Sequence, residues 1–132
     1  MPATTRWWHT VPEIATRVGE TIAAGDQTHA LRLLMDGINA FYRMSPDAVD
    51  EALDEPQTVG DHRWDLLIAA SVRYRLHQMG RKAPRWTYKE PLDKFWFPFC
   101  YSPSDAYVAL AHSPAELVRL GIFLDELNFE QA

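Results

Sequence analysis

The chain has 132 residues, of which 47% are hydrophobic, 12% aromatic and 23% charged. This length predicts one domain over residues 1–132, and the apolar content excludes a disordered tail. No run of eighteen or more apolar residues occurs, and the first ten residues lack the apolar core of a signal peptide. The single cysteine, Cys100, excludes an internal disulfide and a cysteine-based zinc site. We therefore expect a cytoplasmic protein with no contact to a membrane.

Charge is unevenly distributed along the chain. The net charge of −5 disfavours nucleic-acid binding by this chain alone, because duplex-binding proteins gain affinity by neutralising phosphates. One acidic run contains Asp47, Asp50, Glu51, Asp54 and Glu55. A solvated face or a docking surface for a basic partner both explain it. A basic stretch follows at Arg73, Arg75, Arg81, Lys82, Arg85, Lys89 and Lys94.

Capping residues predict three helices in a first sub-lobe, residues 10–55. Thr10 and Glu13 have the spacing of a capping box, and Gly25 predicts a left-handed helix end. Asp26 caps the next helix, whose apolar residues recur at three- and four-residue spacing. The short link between these two helices leaves room only for an antiparallel hairpin. The predicted helices span about residues 11–24, 26–43 and 45–53.

A second sub-lobe, residues 60–132, follows a loop that contains Pro56 and Gly60. Asp61 caps its longest helix, whose inward stripe is apolar except for Ser71 and Arg75. Two further capping-box patterns start at Ser102 and Ser113, each followed by proline. The helices predicted here span about residues 61–79, 103–111, 114–120 and 123–129.

Residues 81–98 form a connector that is rich in proline and aromatic residues. Its three prolines forbid long regular structure, while its aromatic rings require burial. We expect one helical turn at residues 92–95, and residues 85–89 could pair briefly as a strand. No segment has convincing strand alternation. The predicted fold is therefore all-α, with an N-terminal helical hairpin packed on a C-terminal helical lobe and this connector between its helices.

Candidate catalytic residues are few. His62 and Asp65 have a spacing that could hold a metal or form a His–carboxylate pair, but a metal would need a further ligand, and helix capping and exposed charge explain them better. Cys100 follows an aromatic cluster, which favours a buried, unreactive thiol. No phosphate-binding loop or nucleophile elbow is present. We therefore expect a protein that is not an enzyme and that needs neither a cofactor nor a metal.

Exposed aromatic residues indicate protein contacts instead. Trp7 and Trp8, near the N-terminus, must either fold back onto the core or be buried by a partner. Trp86, Tyr88 and Trp96 lie within the basic stretch or beside it, where they could stack on single-stranded bases, belong to the core or form a protein interface.

Two motifs, Arg63-Trp64-Asp65 and Phe95-Trp96-Phe97-Pro98, are the most distinctive parts of a longer set of segments within about residues 14–127: 23–26, 30–34, 60–70, Gly80, 83–86, 92–98, 113–115 and 119–124. In this order the segments resemble a family of small actinobacterial proteins that look like the antitoxin half of toxin–antitoxin pairs. Members often adjoin a nucleotidyltransferase-like toxin gene, and some carry an added helix-turn-helix. This sequence has no such separate DNA-binding domain, and the family offers no catalytic residues to carry over.

The resemblance implies a non-enzymatic protein that neutralises a cognate toxin by protein–protein contact. The residues we expect to bind this partner are Arg63, Trp64, Asp65, Arg85, Trp86, Phe95 and Trp96. Trp64 could instead belong to the core, with Arg63 and Asp65 as surface charge. The alternatives are a nucleic-acid-associated regulator that uses residues 73–94 and a hydrolase or transferase built on His62 and Asp65. Homodimer formation is compatible with each of these functions.

Overall fold

The computed structural model describes residues 6–130, which form a bundle of α-helices and short 3-10 helices. The α-helices are α1 (Val11–Ala23), α2 (Gln27–Asn39), α3 (Pro46–Ala52), α4 (His62–Gln78), α5 (Pro103–His112) and α6 (Ala115–Val118). The 3-10 helices span Ala40–Arg43, Arg85–Thr87 and Glu126–Phe129. Between residues 6 and 130 the only β-type pairing is an isolated parallel bridge from Trp96 to Ile122. The all-α prediction is therefore confirmed.

The helix starts follow the predicted capping residues. Thr10 and Glu13 form the complete capping box, with Thr10 N donating to Glu13 Oε1 at 2.8 Å. Asp26 and Ser45 accept the backbone N–H three residues ahead at 3.0 and 3.2 Å. Gly25 has a φ of 85°, the left-handed conformation that lets the chain reverse into α2. Local side-chain chemistry thus sets the hairpin of α1 and α2.

The core lies between this hairpin and α4. One cluster of buried residues joins the hairpin to the C-terminal lobe; its largest members are Phe41, Leu34, Ile38, Trp64, Leu67, Leu76, Ile122 and Phe129. Close packing explains Gly37 on α2, because a Cβ there would lie 2.5 Å from Ile14 Cδ1. The two helices of the hairpin approach too closely at this point for a side chain.

The connector follows a different path from the predicted one. Leu92 N donates to Leu120 O at 2.9 Å and Trp96 N donates to Gly121 O at 2.8 Å, so the expected turn at residues 92–95 is replaced by pairing with the segment after α6. The expected pairing at residues 85–89 is also wrong. Thr87 N donates to Pro84 O at 3.1 Å, which forms a 3-10 turn instead.

The last two helices are shorter than predicted. Ser113 does not cap α6, because its hydroxyl donates to Ala109 O at 2.5 Å and closes α5. Glu116, expected to complete that capping box, pairs with His77 Nδ1 at 2.6 Å and links α6 to α4. The expected helix at residues 123–129 is reduced to the 3-10 turn Glu126–Phe129. Ser113 and Glu116 are thus both engaged with other partners, so the predicted capping box of α6 does not form.

Candidate protein-binding surface

Trp64, the centre of the Arg-Trp-Asp motif, is fully buried. Its ring makes edge contacts with Trp96 and Phe99, at centroid distances of 6.0 and 6.4 Å. A side chain in this position stabilises the fold and does not touch a partner. Of the two readings that the sequence allowed, the structure therefore supports a core role for Trp64.

Arg63, the residue before Trp64 in α4, is about half exposed. Its guanidinium sits 4.8 Å from the centre of the Trp96 ring, and its Nε lies 3.9 Å from Asp61 Oδ1. Trp96 itself is half-buried, between Trp64 on one side and Arg63 on the other. This Arg–Trp stack presents a cation and part of an indole ring to solvent.

Asp65 is engaged within the chain. Its two carboxylate oxygens accept hydrogen bonds from Thr58 Oγ1 at 2.5 Å and from the backbone N–H of Val59 at 2.8 Å. These bonds hold the loop that enters α4. Asp65 therefore orders the loop before α4, and this role needs no partner.

His62 is exposed beside Asp65 and lines a shallow cavity of about 210 Å³ together with Trp86 and Lys89. Within residues 6–130, no group of three or more His, Cys, Asp or Glu side chains is placed to hold a metal. The described hydrogen bonds of the Asp65 carboxylate go to Thr58 and Val59, and no hydrogen bond joins His62 to Asp65 within residues 6–130, so the His–carboxylate pair that the sequence suggested is not formed. The geometry gives the hydrolase alternative no support.

Arg85 and Trp86 lie in the 3-10 turn of the connector, next to the acidic run. Trp86 Nε1 donates to Leu53 O at 2.8 Å, so this ring is half-buried, whereas Arg85 is exposed. Arg81 forms an ion pair with Asp50 nearby. The remaining carboxylates of the acidic run point to solvent, which leaves an acidic surface beside Arg85.

Phe95 is the most exposed of the predicted binding residues, with 73% of its surface accessible. It packs edge-on against Phe123 at 5.3 Å, and Phe97 stacks on the other side of that ring at 4.8 Å. Gly121 runs beneath it with a φ of 82°, and a Cβ at this position would lie 3.4 Å from the Phe95 ring. The fold therefore supports the ring from below and leaves its outer face uncovered.

Sequence reasoning missed α5 as a candidate site. Tyr101 is 81% exposed, Tyr107 74% and Leu110 54%. Only Ala109 of this helix is buried. The sequence of α5 gives little sign of this, because which residues face the protein is settled by packing: Ala109 is buried and Ala106 half-buried, whereas Tyr107, Val108 and Leu110 face outward. We call Phe95, Tyr101, Tyr107, Val108 and Leu110 the apolar surface.

Burial, with a smaller effect of Asp105, raises the pKa of the Cys100 thiol, so the side chain is protonated at neutral pH.

The two N-terminal tryptophans differ in exposure. Trp8 folds back onto the core, while Trp7 remains largely exposed beneath the guanidinium of Arg43 at 5.2 Å. Burial of Trp7 by a partner stays a prediction.

The basic stretch is less available than its sequence suggests. Arg73 and Arg75 are buried, and Tyr88 covers Arg73 with its ring centre 4.0 Å from the guanidinium. Arg81 is paired with Asp50. A phosphate backbone would therefore meet chiefly Lys82, Arg85, Lys89 and Lys94. The nucleic-acid alternative stays a prediction that rests on these four side chains.

The comparisons with known proteins add no relative. No family model matches the chain, and no curated protein or solved structure matches it significantly. None of the helices in residues 6–130 is long and apolar enough to cross a bilayer. The apolar surface is therefore the main indication of function.

Proposed function

We propose that this protein is a non-enzymatic, antitoxin-like binding protein that neutralises a partner protein through the apolar surface. The observation that carries this proposal is the concentration of exposed apolar side chains along one segment: of the ten large exposed ones in residues 6–130, five lie between Phe95 and Leu110 in the sequence. Tyr and Phe side chains on a rigid support are typical of the central residues of protein interfaces. A solvated surface rarely concentrates them in this way.

Charge indicates the chemistry of the partner. Residues 99–130 contain five acidic residues and one basic residue, a net charge of −4 with histidine neutral. The partner should therefore present a basic rim around an apolar centre. A protein that acts on nucleic acid has such a surface, because its substrate groove must neutralise phosphates. Occupation of that groove by an acidic, aromatic surface would exclude the substrate, which is how we propose that neutralisation works.

The local geometry supports a rigid docking element. Ser102 Oγ accepts from the Asp105 backbone N–H at 3.2 Å, and Asp105 Oδ2 accepts from Tyr101 N at 3.0 Å. These bonds fix the start of α5 and the position of the Tyr101 backbone beside it. A preordered helix loses little conformational entropy when it binds.

The test uses a matched pair of variants on tagged protein. Val108 and Val118 are each 40% exposed, but only Val108 belongs to the apolar surface. Val108→Lys places a cation opposite a basic partner and should weaken binding about tenfold or more, whereas Val118→Lys should leave it unchanged. Both variants should fold, as judged by circular dichroism and thermal unfolding.

The readout is retention of one stoichiometric protein from host-cell extract, identified by mass spectrometry, with co-expression growth rescue as a second assay. The proposal predicts a nucleic-acid-processing protein that Val118→Lys retains and Val108→Lys loses. Equal retention by both variants would contradict it. A shift to a dimer in size-exclusion chromatography, abolished by Val108→Lys, would instead make this surface a self-association face.

A further inference from the structure

Arg75 is a buried cation whose hydrogen-bond partners are all neutral. The residue is 2% exposed. Its Nη2 donates to Asn39 Oδ1 and to Phe129 O, both at 2.5 Å, and its Nη1 donates to Tyr42 Oη at 2.6 Å and to Gln78 Oε1 at 2.5 Å. The Nε proton has no acceptor among the described residues.

No carboxylate within residues 6–130 forms an ion pair with Arg75. Neutral acceptors satisfy four of the five N–H groups, and the rings of Tyr42 and Tyr74 lie 4.5 and 6.0 Å from the guanidinium carbon. These contacts offset part of the positive charge but supply no anion. A buried charge in this state is costly unless an anion approaches it. The charge of Arg75 therefore favours an anionic partner that the described residues do not supply.

The same guanidinium borders an open cavity of about 460 Å³. The other lining residues are Asn39, Tyr42, Arg43, Gln78, Phe129 and Glu130. All four acceptors of the guanidinium line this cavity, but their exposure differs. Nη2 bonds to a half-buried amide and a buried carbonyl, whereas both acceptors of Nη1, Tyr42 and Gln78, are exposed residues. A ligand can therefore reach Nη1 by displacing one of these two exposed acceptors.

We propose that this cavity binds a small organic monoanion, a carboxylate with an apolar body. Its carboxylate would accept from Arg75 Nη1 and the Tyr42 hydroxyl, in place of the Gln78 amide oxygen. Tyr42 and Phe129 would pack against its body, and Arg43 supplies a second cation at the rim. Glu130 at the same rim disfavours a dianion such as phosphate, because its negative charge would repel the second charge of the ligand.

Benzoate is a suitable probe because neutral benzamide matches its shape. The proposal predicts that benzoate binds in calorimetry with a Kd of about 1 mM or tighter and raises Tm in proportion to its concentration. Benzamide should bind about tenfold more weakly or worse, because charge-assisted hydrogen bonds are stronger than neutral ones. Equal binding of the two probes, or no binding of benzoate, would overturn the proposal and leave Arg75 as a structural cross-link alone.

Gln78→Glu is the decisive variant, because it does not depend on the removal of Arg75. It places a carboxylate where Gln78 Oε1 already lies 2.5 Å from Nη1. The protein would then carry its own counter-ion, so Tm should rise and benzoate binding should fall at least tenfold. Unchanged Tm together with unchanged benzoate affinity would contradict the proposal that Arg75 lacks an anionic partner.

Two further measurements separate the parts of the site. Arg43→Gln should retain most of the benzoate affinity, since Arg43 lies at the exposed rim and Arg75 at the base. Inorganic phosphate should bind more weakly than benzoate. Tighter binding of phosphate would overturn the assignment of a monoanion with an apolar body.

Discussion

Two helices of the C-terminal lobe show opposite relations between composition and burial. α4 carries three arginines, yet eleven of its seventeen residues are buried, including Arg73 and Arg75. α5 carries Tyr107, Val108 and Leu110, yet buries only Ala109. The polar side chains of α4 are buried where aromatic rings or neutral acceptors meet them. The apolar side chains of α5 have no such partners within the described chain, which is why we assign them to an external one.

Truncation of a large aromatic residue on each helix should affect stability very differently. Trp64→Ala on α4 should reduce the free energy of unfolding by about 3–5 kcal/mol, because it leaves a cavity in the core. Tyr107→Ala on α5 should change it by less than about 0.5 kcal/mol, because the ring is exposed. Urea unfolding of both variants measures the difference. Similar losses would show that α5 is packed into the fold.

Removal of the N-terminal cap should also affect α4 and α5 differently, with smaller changes in stability. Asp61 caps α4 through the backbone N–H groups of Arg63 and Trp64, at 2.9 and 3.3 Å. Its replacement by alanine should lower global stability by about 1–2 kcal/mol, because α4 cannot open without the core. Ser102→Ala should release α5 locally, with faster amide exchange in residues 103–112 and little change in global unfolding. Hydrogen exchange that stays slow in α5 would contradict a separately stable α5.

A charge introduced on the apolar surface should leave the stability of the free protein almost unchanged. Leu110→Lys keeps a good helix former and puts a cation near the carboxyl end of α5, where the helix dipole favours it. We expect a change in the free energy of unfolding of less than about 0.5 kcal/mol. Thermal and urea unfolding check this value. A loss above about 2 kcal/mol would mean that Leu110 is buried against the protein.

Cys100, which precedes α5, gives the smallest expected effect. Because burial raises the pKa of this thiol, its thiolate fraction at neutral pH is lower than that of an ordinary cysteine. Alkylation by iodoacetamide should therefore be slower than in the unfolded chain at pH 7, and should accelerate as the pH rises above the ordinary thiol range. Asp105→Asn should accelerate it only slightly, since burial is the larger cause. Alkylation as fast as in urea would contradict the burial.

The sequence predicts most helix starts because a local cap sets each one. Thr10, Asp26, Ser45, Asp61 and Ser102 all cap the helices that their spacing predicts. Ser71 and Arg75, the polar residues of the inward stripe of α4, are indeed buried. The connector is mispredicted because distant partners decide its path: Trp96 and Leu92 bond to the segment after α6, and no local pattern indicates this contact. Ser113 fails as a cap for a local reason, because its hydroxyl bonds to the carbonyl of Ala109, four residues earlier.

The predicted binding residues differ in exposure. A sequence motif does not say which way a side chain faces: Trp64 is buried, although Arg63, its neighbour in the same motif, is exposed. Phe95 and Arg85 are exposed, and Trp86 and Trp96 are half-buried against Leu53 and Trp64. The exposure of Tyr101, Tyr107 and Leu110 becomes visible only in the fold. We propose that these residues contact the partner.

A pull-down with matched variants decides whether the exposed face of α5 binds another protein. Tagged wild-type protein, Leu110→Lys and Val118→Lys are each incubated with host-cell extract, and the retained proteins are quantified by mass spectrometry. We expect one stoichiometric protein with a basic, nucleic-acid-processing groove on the wild type and on Val118→Lys, and its loss from Leu110→Lys. Retention of the same protein by Leu110→Lys, or of none by the wild type, would contradict the binding role proposed for α5.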